Sequence, residues 1–189
     1  FFPEKRDFFL EASNFFTMGT GASFTSTPVQ TDLFFSRKIG LSDTGQPVPI
    51  LGGARLTGKV GKNSIAVLDV QTDSAFGKPG DNFFVSRYSR DVLRRSRIGA
   101  IFINKESVDG SQHFNRTMGV DGNFALGNSF QVSSYVARTA TNPDAPWLGG
   151  RPIGDGQDMA FYGRVAYRDP KWNVWVNYLD AQENFNPEA

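Results

Sequence analysis

From about residue 54 onward, hydrophobic and polar positions alternate with a period of two, in short runs separated by Gly, Asn, Asp and Pro. That is the pattern of strands joined by turns. In the first pair, Ala54, Leu56, Gly58 and Val60 alternate with Arg55, Thr57 and Lys59, and Gly61-Lys62-Asn63 turns the chain into a second run, Ser64 to Thr72. The tight turn predicts a hairpin. Asn82 to Asp91 and Arg97 to Asn104 form the next pair around the basic turn Val92 to Ser96. Alternation is poor in Asn82 to Asp91, where Arg87 and Arg90 fall on opposite faces. It is cleanest in the fifth run, where Thr117, Gly119, Asp121 and Asn123 alternate with Met118, Val120, Gly122 and Phe124. Leu126-Gly127-Asn128 then leads into Ser129 to Arg138. The last pair is Phe161 to Arg168 and Trp172 to Ala181 around Asp169-Pro170-Lys171.

The connections alternate too. Turns within pairs are short, whereas the loops between them, Asp73 to Asp81, Lys105 to Gln112 and Thr139 to Asp158, are longer and polar. Short turns at one end, long loops at the other and strands of roughly 9–11 residues are the habit of outer-membrane barrels. The expected fold class is therefore all-β: an antiparallel meander of about eight strands in four hairpins over residues 54–189, forming an incomplete part of a transmembrane β-barrel. Residues 1–53 do not alternate. Their aromatic pairs around a tight group of charges suit a segment packed in or against the barrel mouth.

Composition narrows the reading. The 189 residues include 18 Phe and 20 Gly, an excess that strands and turns accommodate better than helices. A net charge of +1 gives no basic face for nucleic acid, and the absence of Cys removes thiol nucleophiles, disulfides and thiolate metal sites. No run approaches the roughly 18 apolar residues of a membrane helix. Phe1-Phe2-Pro3-Glu4-Lys5-Arg6 shows neither a signal peptide nor an initiator Met. The chain is expected to be a segment of a longer protein.

The charged residues set the expected orientation. An Arg facing lipid at mid-membrane costs roughly 2–4 kcal/mol, so Arg-bearing faces of the regular strands should point inward, and such a ladder would favour anionic solutes. The lumen-facing candidates are Arg55, Lys59, Asp69, Asp121, Arg164 and Arg168, with Asp69 and Asp121 as partners for strand arginines. Arg87 or Arg90 should sit near a rim, and Arg116, which shares a face with Met118 and Val120, at a strand end. Tyr167 and Trp172 flank the last turn where an aromatic girdle would lie, and Trp172, Val174, Val176 and Tyr178 share one face. Tyr167, Trp172 and Tyr178 are thus the expected membrane-interface aromatics. A soluble barrel storing a small ligand would instead pack these aromatics in its core, with Phe and Val inside.

No catalytic constellation emerges. His113 is the sole imidazole, which excludes a His-based triad or a multi-His metal site within the chain. Gly53 to Lys59 has phosphate-loop spacing, but Val60 stands where a hydroxyl is needed and a strand follows, not a helix. Carboxylate pairs could run glycoside hydrolysis without His. The first group, Glu4, Asp7 and Glu11, reads as an ion-pair cluster with Lys5 and Arg6. Asp144, Asp155 and Asp158 lie in a Gly-rich loop without calcium-loop spacing. No catalytic, cofactor or metal residue is assigned.

Three blocks in order carry a resemblance: Phe2 to Glu11 (Phe-Pro-Glu-Lys-Arg-Asp-Phe-Phe-Leu-Glu), Leu33 to Gly40 (Leu-Phe-Phe-Ser-Arg-Lys-Ile-Gly) and Pro49 to Lys59. They resemble the barrel region of a bacterial outer-membrane family without an assigned activity, in which a domain like carbohydrate-binding-module family 9 precedes a C-terminal β-barrel. Asp7 stands where that family commonly has Pro, Phe35 for Tyr, Lys38 for Arg and Arg55 for Lys. Beyond residue 60 the likeness rests on strand rhythm, Asn82-Phe83-Phe84-Val85 and the closing Asn184-Phe185-Asn186-Pro187-Glu188. The resemblance implies the outer membrane of a Gram-negative-type bacterium and a barrel larger than eight strands. The partners it implies are outer-membrane lipid, carbohydrate and the preceding domain of the same protein. The function expected is solute passage or surface handling linked to carbohydrate. The alternative is an envelope carbohydrate-binding protein or glycoside hydrolase whose active part lies mainly outside this chain.

Overall fold

The computed structural model describes residues 7–10, 13–18, 33–42, 44–110, 113–142 and 156–188. Eight strands form one sheet: β1 (Ile50–Val60), β2 (Asn63–Thr72), β3 (Asp81–Leu93), β4 (Ser96–Ser107), β5 (Phe114–Leu126), β6 (Phe130–Thr141), β7 (Met159–Arg168) and β8 (Asn173–Ala181). Each pairs antiparallel with its sequence neighbour, in the order β1 to β8. The chain is an all-β meander. β1 and β8 are not paired with each other, so these eight strands make an open sheet.

The hairpin turns are tighter than the sequence suggests. Val60 pairs with Asn63 and Leu93 with Ser96, leaving only Gly61-Lys62 and Arg94-Arg95 between strands. Gly61 and Gly127 take φ of +59° and +62°, a region open to Gly without steric cost. β1 begins at Ile50, four residues inside the stretch expected to be irregular. A register shift between Ile50 and Gly52 breaks the period there and hides the start of the strand.

The two faces differ. One is covered: Ala66, Leu68, Val70, Phe83, Val85, Ile101, Ile103, Tyr135, Ala137, Ala160 and Tyr162 are buried together with Phe9, Phe16, Met18, Leu33 and Ile39 of the leading segment. That segment contributes the short helix α1 (Asp7–Leu10) and 3-10 turns at Ser13–Phe15 and Ser36–Lys38. Gly119 makes the seat for it, since a Cβ there would lie 2.8 Å from Met18 Cε and 3.3 Å from Leu33 Cδ1. At the long-loop end the tail crosses the same face. Asn115 donates to the Asn186 carbonyl at 2.8 Å, the Asn186 N–H donates to Thr139 Oγ1 at 3.1 Å, and Lys38 Nζ donates to the Pro187 carbonyl at 3.0 Å.

The other face is open. Leu56, Val60, Ile65, Tyr88, Ile98, Met118, Val120, Leu126, Phe130, Val136, Val165, Val174, Val176 and Tyr178 are all exposed on it.

Candidate functional site

The open face is ordered along the strands. Near the long loops it is polar: Asp69 accepts from Asn82 at 3.3 Å, Arg116 donates to Asn104 at 3.0 Å, Glu106 lies 3.9 Å from Arg116, and Arg138 pairs with Asp158 at 2.8 Å. Toward the tight turns it is largely apolar, with Arg90 and Asn63 as polar residues near the first turns, and at the last turn it ends in aromatics. Phe130 and Tyr167 pack with ring centroids 4.9 Å apart, and Trp172 is exposed at the last turn. On β5 the band runs through Met118, Val120, Gly122, Phe124 and Leu126. That is about 27 Å along the strand, or a little over 20 Å if the strand is tilted by about 40°, comparable with the band of about 25 Å on outer-membrane barrels. The polar boundary is oblique to the ladder: it lies at Asp69 on β2 but at Asp180 on β8, whose row runs back through Phe161, Val136, Val120, Ala100 and Tyr88 to Ile65. The strands therefore cross the apolar band at a slant.

At the last turn, Asp169 is held by three donors: the Tyr167 hydroxyl at 2.7 Å and the N–H groups of Lys171 and Trp172 at 2.7 and 2.6 Å. The Tyr167 bond first, then the Trp172 and Lys171 N–H bonds, hold its carboxyl below the usual carboxylate range. The Asp anchors the two expected girdle aromatics on either side of it.

On the covered face one group of charges lies at the tight-turn end. Arg87 on β3 reaches across β4 to Asp121 on β5, Nη2 to Oδ1 2.6 Å, both side chains nearly inaccessible to water. Gly99 permits the crossing, because a Cβ there would stand 2.7 Å from both terminal nitrogens. Asp91 is shared by Lys59 at 2.7 Å and Arg97 at 2.8 Å. These groups line a pocket of about 520 Å³ that also includes Arg94 and Arg95. A second cavity, about 940 Å³, opens at the long-loop end between Phe35, Phe76 and Phe83. Phe76 stands at its edge with φ of +53°, a conformation bulky residues rarely adopt, in a tight turn closed by paired Ala75 and Lys78 backbone bonds. Lys105 in that cavity bridges Asp81 at 3.6 Å and Glu188 at 3.3 Å.

The sequence-predicted residues divide as follows. Arg55 and Lys59 lie on the covered face, Arg55 over the Phe8 ring at 5.5 Å and donating to the Phe8 carbonyl. Asp121 is there with Arg87, and Arg164 stands over the Trp175 ring at 5.3 Å. Arg168 ends β7 on the same side, exposed. Asp69 lies on the opposite face from these five. It faces out beside Phe84 and Val67, because β2 buries Ala66, Leu68 and Val70 and so sends every odd position to the other side. The carboxylate partner of a strand arginine is Asp121 alone of the two. Arg87, which alternation failed to place, is deep on the covered face, while Arg90 is exposed on the open one.

The covered face is not polar throughout, as a water-filled lumen would be. Its middle is a hydrocarbon core, because the leading segment fills it. No group of three or more His, Asp or Glu that could hold a metal occurs among the described residues, and His113 is half-buried, its carbonyl accepting the Ser107 N–H at 2.9 Å. Glu4, Glu11, Asp144 and Asp155 lie outside the described residues; Asp158 pairs with Arg138.

No protein-family model, curated protein or solved structure matches the chain.

Proposed function

We propose that the chain is part of the wall of an outer-membrane β-barrel, with its open face against lipid and its covered face inside. Strands beyond these eight complete the cylinder. The observation that carries the reading is the open face itself: an exposed apolar band, bounded by polar side chains toward the long loops and by Phe130, Tyr167 and Trp172 toward the tight turns. Water on that face would leave the aliphatic rows unburied, whereas lipid satisfies them at no polar cost, since the ladder bonds are made within the sheet.

The leading segment then acts as an interior filling. Phe9, Phe16, Met18, Leu33 and Ile39 occupy the middle of the covered face, so a solute is handled at the two ends and does not run through an open, water-filled wall. The resemblance in the sequence points the solute toward carbohydrate, and the cavity at the long-loop mouth, with its aromatic rim, offers a surface on which a sugar ring stacks.

The test is envelope fractionation of the full-length protein with electrophoresis of the detergent-extracted form before and after boiling. Recovery in the outer membrane with a mobility shift on boiling is expected. Recovery in the soluble fraction overturns the reading and turns the open face into a surface covered by protein.

A further inference from the structure

The pocket at the tight-turn end of the covered face has a charge balance unlike the rest of the molecule. Lys59, Arg87, Arg94, Arg95 and Arg97 line it against two carboxylates, Asp91 and Asp121. The carboxylates are already committed: Asp91 accepts from Lys59 and Arg97, and Asp121 pairs with Arg87. Arg95 donates to the Gly127 carbonyl, a neutral acceptor, and neither Arg94 nor Arg95 has a carboxylate partner among the described residues. Three positive charges are therefore left over within one concavity.

Two further observations point to a ligand. Arg87 Nη1 is buried without a hydrogen-bond acceptor among the described residues, although the guanidinium beside it is pinned by Asp121. A guanidinium of fixed orientation with a spare donor is the usual platform for an oxyanion. Part of the remaining lining is polar but neutral: Ser64, Ser89 and Gln131 carry hydroxyl and amide groups that can bond to sugar-type hydroxyls, beside the apolar Phe15 and Leu93. At about 520 Å³ the space is within the range of small-molecule sites.

We propose that this pocket binds a small polyhydroxylated organic anion, whose carboxylate or phosphate is taken by the arginines around Arg87, Arg94 and Arg95 and whose hydroxyls meet the serine and amide rim. This deepens the solute-handling reading and rests on it for the role of the site, since inside a barrel the pocket faces the side of the tight turns. The site itself is lined by residues of β1 to β6 and the leading segment, whatever covers the other face.

The experiment is calorimetric titration of the full-length protein, from whichever fraction holds it, with glucuronate, glucose 6-phosphate and glucose at low salt. At least one of the two anions is expected to bind about tenfold or more tightly than glucose, and the anion preferred identifies the headgroup as carboxylate or phosphate. Arg94→Gln combined with Arg95→Gln, both at an exposed turn, is expected to weaken that binding about tenfold, a change of the size of one charge-assisted bond. Lys171→Gln, at the β7–β8 turn, is expected to leave it unchanged. Added NaCl weakens the wild-type interaction and reports on the site without any substitution. Binding of glucose as tight as both anions, no binding of any of the three, insensitivity to salt, or an equal loss in Lys171→Gln overturns the proposal. Anion binding by a protein recovered in the soluble fraction would sink the barrel and keep the site. Outer-membrane recovery with no anion preference would do the reverse.

Discussion

Arg87 and Asp121 meet at 2.6 Å across an intervening strand, and the glycine at position 99 is what lets them. The pair joins β3 to β5 over the backbone of β4, so it links non-adjacent strands on a face where ladder bonds link only neighbours. Removing one partner strands a buried charge. Asp121→Ala is expected to cost about 3–5 kcal/mol in a denaturant titration, whereas replacing both residues by Leu should cost far less.

Gly99→Ala tests the crossing itself. An added methyl 2.7 Å from both guanidinium nitrogens requires the end of the Arg87 side chain to shift. The substitution is expected to destabilise the wild type by about 1–2 kcal/mol more than it destabilises an Arg87→Ala background. A double-mutant cycle on the two positions gives that difference directly.

Lipid and water make opposite demands on Val120, which is exposed on the open face in mid-band. Against lipid, Val120→Arg should destabilise by about 2–4 kcal/mol. On a water-facing sheet the same change falls within about 0.5 kcal/mol. Unfolding of the refolded protein in lipid vesicles discriminates between them.

Gly119→Val should displace the leading segment, because the new side chain would occupy the space of Met18 and Leu33. Limited proteolysis is expected to cut within residues 7–18 in this variant faster than in the wild type, while β5 remains protected.

Asp169 ties acid stability to the last turn. Its folded-state pKa is depressed by bonds from Tyr167 and from the Trp172 and Lys171 N–H groups. The stabilisation is therefore fully present above the unfolded value of about 3.9 and is lost as pH falls through the lower folded value. Wild type should exceed Asp169→Asn in unfolding midpoint by a constant margin between about pH 5 and 7, and the margin should shrink below about pH 4.

The strands were legible because period-two alternation and Gly- or Pro-bearing turns are local signals. Thr117 to Phe124 alternate cleanly, and β5 contains them all. Faces were harder to assign where charge was used in place of register. Asp69 looked like a partner for an arginine, but burial of Ala66, Leu68 and Val70 fixes the orientation of β2, and one aspartate cannot reverse a strand. The Arg87–Asp121 contact lies across two ladders, and no local pattern encodes a pair 34 positions apart. The hydrocarbon filling of the covered face was foreshadowed by the aromatic pair Phe8-Phe9, whose partners on the sheet lie far along the chain.

Two adjacent residues of β8 test the orientation of the sheet. Val176 is exposed on the open face, at the middle of the strand between Trp172 and Asp180, while Asn177 points to the covered face at the same depth. The chain has no Cys, so Val176→Cys and Asn177→Cys each carry a single fluorescent label within it. In vesicles containing lipids with a nitroxide in the acyl chain, the label at Val176 is expected to be strongly quenched and the label at Asn177 to be spared. Equal quenching at both positions, or none at Val176, would contradict a lipid-facing wall.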